Sequence, residues 1–273
     1  MKLLQRDAGT APTEAERWRH GSRVAFFGGS FDPPHLGHLA VARAARTAFA
    51  LDTVLFAPVG MQPLKRDGAC ASFEDRVEMT RLAIAGEPGF EVSRIDAPKP
   101  PAEQESRDAG GWIEGAGSRL RMAPNYTIET LEGLRGQLAP GSALFCLMGA
   151  DSFMGLRHWR RAAEIPFVAQ LIVAARPGQA LEGLQEALPP GLVFEPAPEA
   201  ERCAAGVAVR GFSLRSEAGD RATVHVLAGL HVEISASEIR AQLESAADDA
   251  AAGGNRLPAA VRDYIVRHEL YRA

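Results

Sequence analysis

The stretch that most limits how this chain can fold is an apolar run, Val24-Ala25-Phe26-Phe27, that passes directly into Gly28-Gly29-Ser30-Phe31-Asp32-Pro33-Pro34-His35-Leu36-Gly37-His38. An alanine-rich stretch, Leu39 to Phe49, follows it. The run reads as a buried strand, the paired glycines as a turn, and the alanine-rich stretch as a helix. Strand, glycine turn and helix start together gather open backbone N–H groups at one point, which suits a phosphate. Gly28 and Gly29 allow a close approach of backbone to ligand that side chains would block. Pro33 and Pro34 stiffen the loop and lack N–H groups of their own, so the donors are expected from Leu36 to Leu39. His35 and His38, three positions apart at the helix start, can face one anion. Asp32 beside proline reads as a turn former. The turn is neither G-x-G-x-x-G nor a P-loop ending in Lys-Ser/Thr, which weighs against dinucleotide hydride transfer and P-loop hydrolysis.

Along the rest of the chain, short apolar runs alternate with helical patterns. Strands are expected at Val24–Phe27, Thr53–Ala57, Phe90–Ser93, Leu144–Met148, Leu171–Ala175 and Val224–Leu227. Helices are expected at Gly37–Phe49, Phe73–Ala85, Thr127–Leu138, Ala180–Leu188 and Ser235–Glu244. The alternation predicts an α/β fold, a doubly wound parallel sheet with helices on both faces, in a single domain over 23–273. Ligands of such sheets lie beyond the carboxyl ends of the strands, where strand order reverses. Gly28-Gly29 and Gly149-Ala150-Asp151 both follow expected strands and belong on that rim. Residues 1–22 read as a flexible extension. Pro98–Ala123 and Pro196–Ala222 read as loop insertions, the second with room for a short strand at Val207–Val209. A last helix is expected before Tyr271, with Pro258 at its first position and Val261, Tyr264 and Ile265 docking it on the core.

A chain of 273 residues can bury the core of one such domain, and 46% hydrophobic with 23% charged residues is a soluble globular balance. The formal charge of −4 is no footprint for nucleic acid, so an anionic ligand must meet a local positive site. Cys70, Cys146 and Cys203 are odd in number and far apart, which fits neither a disulfide framework nor a zinc knuckle and points to a reducing cytoplasm. No apolar run is long enough to span a bilayer. His35 and His38 lack a nearby third ligand, so no resident metal is expected. Association of identical chains stays open.

A second helix start, Ile234-Ser235-Ala236-Ser237-Glu238-Ile239-Arg240, carries a capping-box pattern at Ser235 and Glu238 and a hydrophobic staple at Ile234 and Ile239. It is either a well-capped helix and nothing more, or a second phosphate cradle of two hydroxyls, open N–H groups and Arg240. Arg157, His158, Arg160 and Arg161 around Trp159 read as a solvated basic face.

In their order and at opposite ends of the chain, His35-Leu36-Gly37-His38 and Ile234–Arg240 resemble the H-x-G-H and I-S-S/T-x-x-I-R motifs of the nucleotidyltransferase superfamily. Within it, the chain is similar to the bacterial nicotinate-nucleotide adenylyltransferases. Gly28-Gly29-Ser30-Phe31-Asp32-Pro33 resembles their G-G-T/S-F-D-P. Asn125-Tyr126-Thr127 with Thr130-Leu131 resembles S-Y-T…T-L, with Asn125 where serine is usual. Gly149-Ala150-Asp151-Ser152 with Trp159 resembles G-x-D…W. Arg176-Pro177 and Leu257-Pro258…Val261…Tyr264-Ile265…Leu270-Tyr271 match as well, so the likeness runs from Arg23 to Tyr271. In Gln62-Pro63-Leu64-Lys65, where many members have Pro-His-Lys, Lys65 alone carries over.

The resemblance implies a Rossmann-like fold and transfer of AMP from ATP, with Mg²⁺, to nicotinate mononucleotide, giving deamido-NAD and pyrophosphate for NAD biosynthesis. It implies that His35, His38, Lys65 and Arg240 act on the phosphates. It places Gly28, Gly29, Ser30, Phe31, Gly37, Gly149, Asp151, Ser235 and Ser237 around ATP, and Tyr126, Thr127 and Trp159 around the acceptor. The attacking phosphate oxygen is already ionised, so no general base is required. The partners implied are these small molecules, with neither nucleic acid nor membrane. The rival readings are another superfamily member, such as a pantetheine-phosphate adenylyltransferase or a cytidylyltransferase, and a catalytically silent nucleotide-binding regulator. The intact histidine pair weighs against the regulator, which needs affinity but no groups for the transition state.

Overall fold

The first strand, β1 (Arg23–Gly29), sends alternate side chains into two separate cores. Ala25 and Phe27 enter one and Val24 and Phe26 the other, so both faces of the sheet must be covered by helices. The computed structural model describes residues 18, 20–63, 68–100, 111–115, 118–175, 184–195, 202–204, 206–230, 234–245 and 254–272. After β1 the chain forms α1 (Leu36–Ala48), β2 (Thr53–Pro58), α2 (Phe73–Ala83) and β3 (Phe90–Val92). A hairpin of β4 (Gly111–Gly115) and β5 (Ser118–Met122) leads to α3 (Thr127–Gln137), β6 (Ala143–Gly149), α4 (Ala150–Met154), α5 (Ile165–Val168) and β7 (Gln170–Ala174). Then come α6 (Leu184–Ala187), β8 (Leu192–Phe194), β9 (Arg202–Ala204), β10 (Val207–Ser216), β11 (Arg221–Ala228), α7 (Ala236–Ser245) and α8 (Ala259–Arg267).

The sheet runs β3-β2-β1-β6-β7-β11-β10-β8, with β9 also paired to β10. From β3 to β11 every pairing is parallel; β10 is antiparallel to β11, β8 and β9. The expected α/β class and mostly parallel sheet are therefore observed. Strand order reverses between β1 and β6, which pair as Val24 with Leu144 and Phe26 with Cys146. Their carboxyl ends, Gly28-Gly29 and Gly149, thus sit side by side on one rim. On one face α1, α2, α7 and α8 supply Leu39, Met79, Ile239, Val261 and Ile265 to the core; on the other α3 to α5 supply Ile128, Leu131, Phe153 and Ile165. Among the described residues no helix is long and apolar enough to cross a membrane.

Three expectations need correction. Pro196–Ala222 is not a plain loop: its described part carries β9 and the ten-residue β10, which extend the sheet beyond β11. Pro98–Ala123 contains the β4–β5 hairpin, closed at its base by a bridge between Lys99 and Ala123. Pro258 is the cap of α8 and not its first residue, with extended backbone at ψ 140. Lys65, Arg176 and Pro177, residues 1–17 and the first part of the helix expected at Ala180–Leu188 lie outside the described residues.

Candidate active site

Everything on the rim follows from how the β1–α1 turn is tied down. Phe31 takes a positive φ of 48°, and the Asp32–Pro33 peptide is cis. The buried Asp32 carboxylate accepts the backbone N–H groups of Cys70 at 2.7 Å and Ala71 at 3.1 Å, and the Tyr271 hydroxyl at 2.7 Å. Arg76, only 2% exposed, donates to the carbonyl oxygens of Ser30 at 2.8 Å and Ala71 at 3.3 Å. A fixed anion and a fixed cation thus hold the turn, each satisfied by hydrogen bonds as buried charge requires. Asp32 is more than a turn former: it joins the turn to the start of α2 and to the C-terminus.

His35 caps α1 in extended backbone, and the imidazoles of His35 and His38 stack with centroids 3.7 Å apart. The His35 N–H donates to Nδ1 of His38 at 3.1 Å. Nδ1 of His38 being an acceptor, its proton sits on Nε2 and Nε2 is the donor left for a ligand. Nδ1 of His35 is buried with no hydrogen-bond partner among the described residues. The His38 N–H, expected to be an open donor, instead reaches the His35 carbonyl oxygen at 2.9 Å. Burial pulls the pKa of His35 down to about 4; burial and then the neighbouring His35 hold His38 well below the ordinary imidazole value. Both rings are therefore neutral donors at pH 7 in the free protein.

This has a sign that can be checked. A histidine with a folded pKa below its unfolded value gives the unfolded chain more protons, so stability is complete above about pH 6.5 and is lost as pH falls toward 4. For His35 alone the loss is on the order of 3 kcal/mol. The urea-unfolding midpoint is expected to fall over this window more steeply in the wild type than in His35→Gln. Parallel pH curves for the two proteins would contradict the depressed imidazole.

Two adjoining cavities open on the rim. The larger, about 800 Å³, is lined by Ser30, Phe31, His35, Gly37, His38, Gly149, Ser235, Ser237 and Arg240. It thus brings together the two helix starts that the sequence separates by about 200 positions. Arg240 does not project freely: its Nη1 donates to the Asp32 carbonyl oxygen at 2.7 Å and its Nη2 to Ser237 Oγ at 3.3 Å. Ser235 sits just before α7 and its carbonyl accepts the Ile239 N–H at 3.1 Å, while the Glu238 carboxylate pairs with Arg256.

The smaller cavity, about 320 Å³, is lined by Tyr126, Thr127, Trp159, Asp96, His158 and Arg160 among others. Trp159 is half-buried against the α3–α5 core. The Arg160 guanidinium lies 4.5 Å over the Tyr126 ring and 3.6 Å from Glu129, so part of the cluster read as a solvated face lines a cavity. Arg161 does behave as surface, paired with Glu132 and Glu164. The two cavities share Gly28, Gly29, Gln62, Met148, Asp151 and Ser152 as a common wall. A Cβ on Gly28 would lie 2.6 Å from the Phe26 ring, so this wall admits no side chain there without displacing the core. Gly149 is the N-cap of α4, and Asp151 follows in its first turn.

Several lining residues escape sequence reasoning. Gln62 accepts from Ser30 Oγ at 3.1 Å and lines both cavities. Asn125 is buried: its Oδ1 accepts the Met61 N–H at 2.9 Å and its Nδ2 donates to the Ala97 carbonyl at 3.3 Å. Asp96 accepts the Thr130 hydroxyl at 2.5 Å, and burial raises its pKa. The only sequence signals were nearness to the Lys65 segment for Gln62 and a departure from the usual serine for Asn125.

Two cavities that adjoin at the strand-order reversal of a doubly wound sheet suit a nucleotidyltransferase, and the cytidylyltransferase-like family model matches residues 26–242. A protein of Solibacter usitatus named as a probable nicotinate-nucleotide adenylyltransferase is 35% identical over 251 residues, covering 91% of this chain and 99% of its own. One of the same name from Laribacter hongkongensis is 34% identical over 92% of this chain and 94% of its own. The chain belongs to the nicotinate-nucleotide adenylyltransferase family. The fold agrees with that of the Plasmodium falciparum nicotinic acid mononucleotide adenylyltransferase, which superposes with a TM-score of 0.58 at 13% identity over 92% of this chain and 97% of that one.

Proposed function

We propose that this chain transfers the adenylyl group of ATP to nicotinate mononucleotide, releasing pyrophosphate and forming deamido-NAD. The observation that carries the reading is the common wall. Two substrates that must meet at one phosphorus need two sites that touch, and the cavities adjoin at Gly28-Gly29 and Asp151. The larger, with His35, His38, Ser235, Ser237 and Arg240, takes the triphosphate; the smaller, with Tyr126, Thr127 and Trp159, takes the acceptor. ATP arrives as its Mg²⁺ complex, the ion being part of the substrate. It would neutralise charge on the departing pyrophosphate.

The acceptor phosphate oxygen attacks the α-phosphorus in line, and the bond to the β-phosphate bridging oxygen breaks as pyrophosphate leaves. No proton has to be removed from the nucleophile, so the protein's work is positioning and fixed charge. The two neutral imidazoles donate hydrogen bonds without first losing a hydration shell of their own charge. Arg240 adds a full positive charge already oriented by Asp32. Lys65, which lies outside the described residues, is assigned a second charge on the phosphates. Trp159 stacks on the pyridine ring, and Thr127 and nearby backbone groups contact its carboxylate. Asp151, on the shared wall, takes a ribose hydroxyl.

The experiment is pyrophosphate release with ATP, Mg²⁺ and a panel of acceptors. Turnover with nicotinate mononucleotide is expected, with none for phosphopantetheine and none when CTP replaces ATP. Turnover with phosphopantetheine alone, or nucleotide binding without pyrophosphate release, would sink the assignment.

A further inference from the structure

Tyr271 lines neither cavity, yet it reaches the centre of the site through one residue. Its ring is 9% exposed, and its hydroxyl donates to Oδ1 of Asp32 across 239 positions of sequence at 2.7 Å. The backbone there takes a positive φ of 61°, so the C-terminal turn holds this tyrosine in a conformation that non-glycine residues seldom adopt. Asp32 is the residue whose carbonyl oxygen orients the Arg240 guanidinium. The same carboxylate takes the N–H groups of Cys70 and Ala71, just beyond the segment that bears Lys65. Arg76, held on Ser30 and Ala71, supplies the compensating buried cation.

We propose that Tyr271 is a positioning residue for adenylyl transfer: its hydroxyl fixes the Asp32 carboxylate, and Asp32 in turn sets Arg240 against the triphosphate cavity. The alternative is that the hydroxyl only anchors the C-terminus. The two differ in what they touch. An anchor affects the whole fold, whereas a group acting through Arg240 affects the ATP side and leaves the acceptor cavity alone. None of Asp32, Arg240 and Tyr271 lines that acceptor cavity. The proposal rests on the phosphate role given to Arg240 above, and the test separates the two.

The test is a double-mutant cycle of Tyr271→Phe and Arg240→Ala in the full-length chain, with steady-state constants for both substrates and unfolding midpoints. Phenylalanine keeps the ring and removes one oxygen, leaving a buried carboxylate short of a donor. Tyr271→Phe is expected to lower kcat/KM for ATP about fivefold to thirtyfold with acceptor KM unchanged within about twofold. In the Arg240→Ala background, the same change is expected to cost less than about twofold, because the group it acts through is gone. Asp32→Asn, which preserves shape and the backbone carbonyl, should show the same ATP-side loss and the same non-additivity. An undiminished effect of Tyr271→Phe on top of a damaging Arg240→Ala overturns the proposal alone, as do parallel changes in both KM values. A silent Arg240→Ala would bring down the phosphate role of Arg240 and this proposal with it.

Discussion

Replacing His38 with alanine is expected to lower kcat by about two to three orders of magnitude, the range for losing one preorganised donor that meets developing charge. The size follows from how completely the surroundings specify this ring. The N–H of His35 occupies Nδ1, the His35 ring stacks on one side, and Phe31 lies with its centroid 4.9 Å away on another. Nε2–H is thereby the donor left on a restrained ring that lines the cavity we assign to the triphosphate, with little freedom to lose on reaching the transition state. Glutamine or asparagine in its place would supply a donor without that restraint and should recover only part of the rate. ATP affinity should change far less than turnover, since charge builds on the phosphates mainly as the pyrophosphate leaves. Single-turnover measurements at saturating ATP separate the two quantities. A His38→Ala enzyme with wild-type turnover would falsify the catalytic assignment.

The second large effect is acceptor choice. kcat/KM for nicotinate mononucleotide is expected to exceed that for nicotinamide mononucleotide by about two to three orders of magnitude, as for one or two charge-assisted hydrogen bonds that a neutral amide cannot match. The smaller cavity, which we assign to the acceptor, contains the Arg160 guanidinium, and the start of α3 borders it at Thr127. A carboxylate gains from that surrounding charge and from the helix start, while a neutral amide gains less and leaves donors unmatched. Equal specificity constants for the two nucleotides would mean that the pyridine substituent is bound elsewhere.

How far the sequence could disclose these features depended on whether a residue's partners lie nearby in the chain. Val24–Phe27 and the alanine-rich stretch fold into β1 and α1 as read, because strand and helix periods are local properties, whereas Gly28 and Gly29, read as a turn, are the last two residues of β1 and pair with Ala57 and Pro58. The approach of Gly37 and Ser237 to one cavity could be expected only from the joint motif pattern. By contrast, β10 looks like a loop in sequence. Arg210 and Gly211 interrupt it, and only Val209 and Leu214 of its ten residues are buried, since it lies toward the antiparallel end of the sheet. Arg76 lies among charged neighbours on α2 and is not singled out by any motif, yet it is among the most enclosed side chains. Its partners at Ser30 and Ala71, like those of Asn125 at Met61 and Ala97, are fixed by tertiary approach and leave no periodic trace.

The partition between the cavities is made of residues that line both of them, with Gly28 backed by an aromatic ring. Neither compartment can be remodelled at that boundary without disturbing the other, so altered acceptor choice has to be sought among residues that line the smaller cavity alone, such as Tyr126 and Arg160. A single molecule that bridges both compartments would gain from each of them while meeting the immobilisation cost of one ligand. Under the assignment proposed above, that shared divide makes this enzyme open to linked, bisubstrate inhibition.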